Sequence, residues 1–238
     1  MSQKKPSPAE PVTELRRIPI LECGEPLVSY LGQHPRLIEA APRWDYVRAT
    51  FARQSVVQML VKAAEALPKQ YAIAVVEGWR PPYIQRRLYL SSWERWKAKK
   101  PDWSDAQLRR TVNRYTAPIH KRVPPPHSTG GAVDLVLALQ DGTELDHMSP
   151  YEFGHHEAYP FDAPGLNEES RKNRDALAKA LLAGGLTNYP SEWWHWSYGD
   201  QGWAYRNGLP NAIYGPTEPE GWLGREEDMV EAPLTRFA

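Results

Sequence analysis

Two short stretches of this chain hold residues whose types and spacing suit metal chemistry: His127-Ser-Thr-Gly-Gly-Ala-Val-Asp134 and Glu192-Trp-Trp-His195. Together they offer two imidazoles, one carboxylate ligand and one spare carboxylate. Three protein ligands, an open fourth position for water and a carboxylate to take the water's proton make up a catalytic zinc site. A closed structural site takes four ligands, most often cysteines. The chain has one cysteine, Cys23, so a thiolate cage is excluded.

Asp134 is the sharpest anomaly. Residues 131 to 139 read as a strand with Ala132, Asp134, Val136 and Ala138 on one face and Val133, Leu135, Leu137 and Leu139 on the other. Both faces are otherwise apolar, so the strand is predicted to be central. A carboxylate in its middle is costly unless it is paired or binds a metal. Val123-Pro-Pro-Pro126 forms a stiff lead-in to His127, and Gly130 and Gly131 let the backbone turn so that His127 and Asp134 converge. Glu192 and His195 would share a face on a helix. Pro190 and the aromatic run argue instead for a strand, where an offset of three separates them. Glu192 is therefore placed in the turn before the strand, free to lean over the metal. Taken singly, each residue also has a plain reading: a surface Asp, a loop His, a surface Glu, a packed His.

Arg80 leaves another buried strand in Glu77-Gly-Trp-Arg-Pro81. It reads either as the partner of a surface ion pair with Glu77 or as a guanidinium at the cleft mouth. In the second case it would donate to a developing oxyanion or to a substrate carboxylate.

The elements that must position these groups follow from pattern. Residues 48 to 67 are predicted helical, with Val56, Met59, Leu60, Ala63, Ala64 and Leu67 on one apolar face and Pro68 as the stop. Tyr71 to Val76 reads as a buried strand ending at Gly78 and Pro81-Pro82. A helix follows over 83 to 99. Ser104 with Gln107 makes a capping box for another, up to Tyr115. Asp141-Gly142 is a turn, and residues 145 to 166 form a long loop. Asn167 caps a helix from Glu168 that ends at Gly184-Gly185. Leu186 to Tyr198 reads as a turn and a last strand. The expected organisation is a disordered tail over 1–12, one catalytic domain over 13–207 and a Pro/Gly-rich wrap over 208–238. The fold class is α+β in a single domain, a small antiparallel sheet with flanking helices.

Lysine plus arginine and aspartate plus glutamate number 29 each. That balance gives no global steering toward nucleic acid or an anionic membrane. The basic run Arg95 to Lys100 reads as a solvated helix face. The N-terminus lacks an apolar segment, no stretch approaches the ~20 apolar residues of a membrane span, and one cysteine permits no intrachain disulfide. The expected location is the cytoplasm, with neither nucleic acid nor membrane as partner.

At these motifs the chain resembles the zinc D-alanyl-D-alanine dipeptidases, which include the vancomycin-resistance dipeptidases and are related to zinc D,D-carboxypeptidases. The resemblance spans roughly residues 45 to 200, with the Arg80, His127–Asp134 and Glu192–His195 motifs in the family's order. It implies that His127, Asp134 and His195 bind one zinc ion, that Glu192 is the general base and that Arg80 stabilises the transition state. It also implies a small D-Ala-D-Ala dipeptide as substrate and a fold of the D,D-peptidase and hedgehog type. Glu77 stands where the family has Asp. Glu152, in Tyr151-Glu152, aligns with the family's Phe-Asp pair; both are assigned to substrate binding. Pro125 replaces a serine that helps to hold the substrate, and residues 97 to 118 look like an insertion. Trp194-His195-Trp196 also resembles the carboxypeptidases, so longer peptidoglycan peptides stay open. A non-catalytic zinc-binding module would need neither Glu192 nor Arg80. An iron site is disfavoured because its usual His-x-Asp spacing is missing.

Overall fold

The structure, a computed structural model, describes residues 10–118 and 122–237. Along the chain come helix α1 (Val12–Leu15), strands β1 (Leu27–Ser29), β2 (Leu37–Glu39) and β3 (Phe51–Arg53), helix α2 (Gln54–Ala66) and strand β4 (Tyr71–Glu77). Helices α3 (Pro82–Lys99) and α4 (Asp105–Tyr115) follow, then strand β5 (Ala132–Leu139) and helix α5 (Glu168–Gly184). Strands β6 (Thr187–Asn188) and β7 (His195–Ser197) and helix α6 (Gln201–Arg206) complete the set, apart from short 3-10 turns. The expected tail falls outside the described residues as far as residue 9, and Val12 already opens a helix.

The main sheet has the strand order β2-β4-β5-β7-β6, and β1 and β3 form a separate two-stranded ribbon. The molecule is a single α+β domain with small sheets and flanking helices. One edge pair of the main sheet, β2 with β4, is parallel; the rest are antiparallel. β5 lies at the centre, as its doubly apolar pattern requires: six of its residues are buried and Asp134 is half-buried. The core joins Val56, Leu60 and Ala64 of α2, Ile73 and Val75 of β4, Leu135 and Leu137 of β5, and Leu177 and Leu181 of α5. Removing this apolar surface from water is the main driving force for the arrangement.

Local signals hold where they are chemical. Ser104 and Gln107 cap α4 reciprocally. The Asn167 side chain accepts from the Ser170 amide, and Gly185 closes α5 in the left-handed region. The predicted helix over 48–67, by contrast, starts only at Gln54, and Phe51–Arg53 is a strand. The cause is tertiary. Ala52 and Arg53 pair with Val28 and Leu27, the Arg53 amide donates to the Gly130 carbonyl, and the Arg53 guanidinium is buried among Thr129 O, Gly215 O and the Glu22 carboxylate. Pairing of this kind overrides helical propensity. No helix among the described residues is long and apolar enough to cross a membrane. The C-terminal segment bridges back to the body, Ala212 to Ile20 and Arg236 to Trp44.

Candidate metal centre

The centre of the sheet aligns three site residues in one row. Asp134 of β5 stands opposite Glu77 of β4 on one side and His195 of β7 on the other. The Asp134–Glu77 pairing follows an irregularity between Val75 and Glu77, which sets Glu77 beside Asp134. His127 arrives from outside the sheet, on a 3-10 turn over Pro126–Thr129 rather than on an extended run. Gly130 turns this segment into β5 at φ 69°, where a Cβ would stand 2.2 Å from Leu27 Cδ2.

The donors converge. His127 Nε2 lies 3.3 Å from Asp134 Oδ2, and His195 Nδ1 lies 2.9 Å from Asp134 Oδ1. Among the described residues these three form a group whose ligand atoms all lie within 4.8 Å of one another. Donors bound to one tetrahedral zinc at about 2.0–2.1 Å stand about 3.3 Å apart, so the set fits a single zinc ion. His127 Nδ1 donates to the Gly78 carbonyl at 2.9 Å, which fixes the tautomer and leaves Nε2 as a lone pair for the metal. Gly78 itself is packed against β3, where a Cβ would meet the Phe51 carbonyl oxygen at 2.5 Å. Burial pushes the Asp134 carboxyl up, but the two imidazoles outweigh it and hold it well below the usual carboxylate range. The ligand is thus a carboxylate at any working pH. The expected outcome of chelation is a lower melting temperature, restored by zinc. Free metal at ~100 times its dissociation constant contributes about 2.7 kcal/mol to the folded state. A differential-scanning melt with no shift on chelation would argue against a resident ion.

Glu192 sits in the turn that joins β6 to β7, as the offset argument requires. The turn is closed by backbone bonds from Glu192 N to Tyr189 O and from His195 N to Glu192 O. Burial pushes the Glu192 carboxyl up to about 7, with Asp134 adding to the rise and His195 and Arg80 opposing it. A carboxyl in that range is matched to proton transfer near neutral pH. One residue that the sequence did not single out holds the turn. Asn188 Nδ2 donates to the carbonyls of Glu192 (3.0 Å), Trp193 (3.3 Å) and His195 (3.0 Å). Asn188→Ala should keep the fold and lower kcat by about tenfold, since the buried carbonyls lose a donor worth about 1 kcal/mol or more and the turn loosens. An unchanged kcat in that variant would show that the turn holds itself.

Arg80 is neither a surface residue nor loosely paired. Its Nε donates to Glu77 Oε2 at 3.0 Å, Nη1 to Gln85 Oε1 at 2.8 Å, and Nη2 faces Asp134 Oδ2 at 3.9 Å. Tyr46 Oη donates to the same Glu77 oxygen, and Gln85 is fixed in turn by the Ala117 carbonyl. Glu77, expected at the substrate, thus serves in the structure as the buried anchor of Arg80. Tyr46 and Gln85 were missed because nothing local marks them; they lie far away in sequence or on a helix without a motif. Glu152 was assigned to substrate binding. It is exposed, on a loop whose backbone turns at Glu152 O–His155 N, because solvent rather than protein carries its charge there.

A half-buried carboxylate between two imidazoles, a raised carboxyl in the adjoining turn and a clamped guanidinium beside Asp134 are the parts of a metallopeptidase site. Residues 43–213 match the D-Ala-D-Ala dipeptidase family, and the chain belongs to that family. A D-alanyl-D-alanine dipeptidase of Synechocystis sp. is 27% identical over 228 residues, 82% of this chain and 91% of that one. The Escherichia coli protein of the same name is 27% identical over 133 residues, 56% of this chain and 62% of its own length. A solved structure of VanYB in complex with D-alanine-D-alanine is 16% identical, covers 83% of this chain and 94% of that chain, and superposes with a TM-score of 0.44.

Proposed function

We propose that this chain hydrolyses free D-Ala-D-Ala with one zinc ion held by His127, Asp134 and His195. The observation that carries the reading is the cross-strand row at Asp134, with Glu192 in the turn that leads into His195. A zinc ion held by His127, Asp134 and His195 would supply Lewis acidity for the peptide carbonyl and the attacking water. Glu192, deprotonated, takes the proton of the attacking water and returns it to the leaving amine. Arg80, oriented by Glu77 and Gln85, donates to the oxygen that gains negative charge. The Gly78 carbonyl keeps His127 in its ligand tautomer. The kinship with proteins named D-alanyl-D-alanine dipeptidase supports the choice of substrate.

The test is hydrolysis by zinc-loaded protein of D-Ala-D-Ala, L-Ala-L-Ala and an N-acylated D-Ala-D-Ala. Cleavage of the free D,D-dipeptide alone supports the dipeptidase. Cleavage of the acylated peptide would move the chain to the carboxypeptidases, a reading that Trp194-His195-Trp196 keeps in view. No cleavage with zinc bound would remove the proposal.

A further inference from the structure

Arg80 owes its orientation to two side chains, Glu77 and Gln85, and the C-terminal segment reaches the supports of both. Glu77 is buried, and its Oε2 accepts from Tyr46 Oη as well as from Arg80 Nε. Among the described residues its other oxygen, Oε1, has no hydrogen-bond partner, so the carboxylate is turned by Tyr46 and Arg80 together. Tyr46 stands between β2 and β3, and Gln85 stands near the start of α3. Residues 228–237 tie these two elements to each other. Asp45 N donates to Thr235 O at 2.9 Å, and Thr235 N returns a bond to Asp45 Oδ1 at 2.8 Å. Leu234 N donates to Ser91 Oγ of α3 at 2.7 Å. Arg87 of α3, itself buried, donates from Nε to Ala232 O at 3.1 Å, pairs with Asp228 at 3.4 Å and faces Asp45 at 3.9 Å. The side chain that this strap delivers is Leu234. It is buried in a small core with Tyr46 and with Ile84, one position before Gln85, and that core is separate from the main one.

We propose that Leu234 is a positioning residue for Arg80, acting through the ring of Tyr46 and the carboxylate of Glu77. The inference rests on the proposed function and adds to it a control of the oxyanion donor by a segment remote in sequence. Cutting back Leu234 leaves a cavity beside the Tyr46 ring, into which the surroundings relax only in part. A hydroxyl that shifts with its ring loses its bond steeply with distance and angle. Glu77 is then held by Arg80 alone, and the guanidinium loses the fixed partner that orients it. Donors to a developing oxyanion work through preorganisation, so the loss falls on the chemical step.

The experiment is a double-mutant cycle. Hydrolysis of D-Ala-D-Ala by zinc-loaded protein is measured in the parent, Leu234→Ala, Arg80→Ala and the double variant, each below its melting temperature and with its zinc content determined. Leu234→Ala should keep its zinc and lower kcat about tenfold, the scale of one hydrogen bond to a charged group. In the Arg80→Ala background the same substitution should change kcat by less than about twofold, since a residue that acts through Arg80 then has nothing to act on. Tyr46→Phe, which keeps the ring and loses only the hydroxyl, should reproduce both results. Leu234→Met, which nearly conserves volume, should stay within about threefold of the parent. If Leu234→Ala does not fold, Leu234→Val runs the same cycle with a loss of about threefold, as befits a smaller cavity. Equal losses with and without Arg80 would mean general loosening and overturn the positioning role, as would an unchanged kcat in Leu234→Ala; the fall on Arg80→Ala alone would leave the proposed function standing. A parent without turnover, or an Arg80→Ala variant at full kcat, overturns the reading on which the inference rests, and the inference with it.

Discussion

Glu192→Ala should retain its zinc and lose about 10²–10⁴-fold in kcat, the range of a positioned general base. Metal retention is expected because the three donors are held without Glu192: His127 by the Gly78 carbonyl, Asp134 by its central strand, His195 by its pairing with Asp134. Elemental analysis beside turnover checks both halves. Full activity would remove Glu192 from the mechanism, and loss of the ion would make it a ligand. The same residue sets an acid limb. Only the deprotonated carboxylate accepts a proton, and burial pushes the group up to about 7, so kcat/KM should fall as the pH drops through that region. A bound cation favours the charged form and draws the limb lower. The limb should therefore lie at or below pH 7; a limb well above 7 would have to belong to another group.

Much of this site is written locally. Asp134 could be read because an isolated carboxylate in a strand with two apolar faces has few tolerable explanations. Glu192 could be placed in a turn because strand geometry forbids an i, i+3 pair from sharing a face. Asn167, Gly185 and the Ser104–Gln107 box mark helix ends through bonds to their own backbone, so they need no tertiary knowledge. What stayed illegible depends on distant partners. Arg53 leaves the helical pattern because Glu22, Thr129 and Gly215 enclose its guanidinium, residues that no window around 53 contains. Tyr46 and Glu77 meet across 31 positions, and Asn188 matters only once the turn has closed on it. The exposure of Glu152 was illegible for the opposite reason: a motif alignment assigns a role but says nothing about whether the loop buries the side chain.

Arg80→Ala should cost about 10²–10³-fold in kcat, the loss seen when one preorganised oxyanion donor is removed. The structure makes this a preorganisation effect. Glu77 and Asp134 keep the guanidinium charged, burial notwithstanding. Nε and Nη1 are committed to Glu77 and Gln85, so the group does not reorganise during the reaction, and Nη2 points toward Asp134. Arg80→Lys should not rescue, because a point-charge ammonium lacks the planar fork that bonds Glu77 and Gln85 at once. Steady-state kinetics separate the possibilities. A fall in kcat and kcat/KM together means the interaction is made in the transition state, whereas a rise in KM alone would make Arg80 a ground-state clamp.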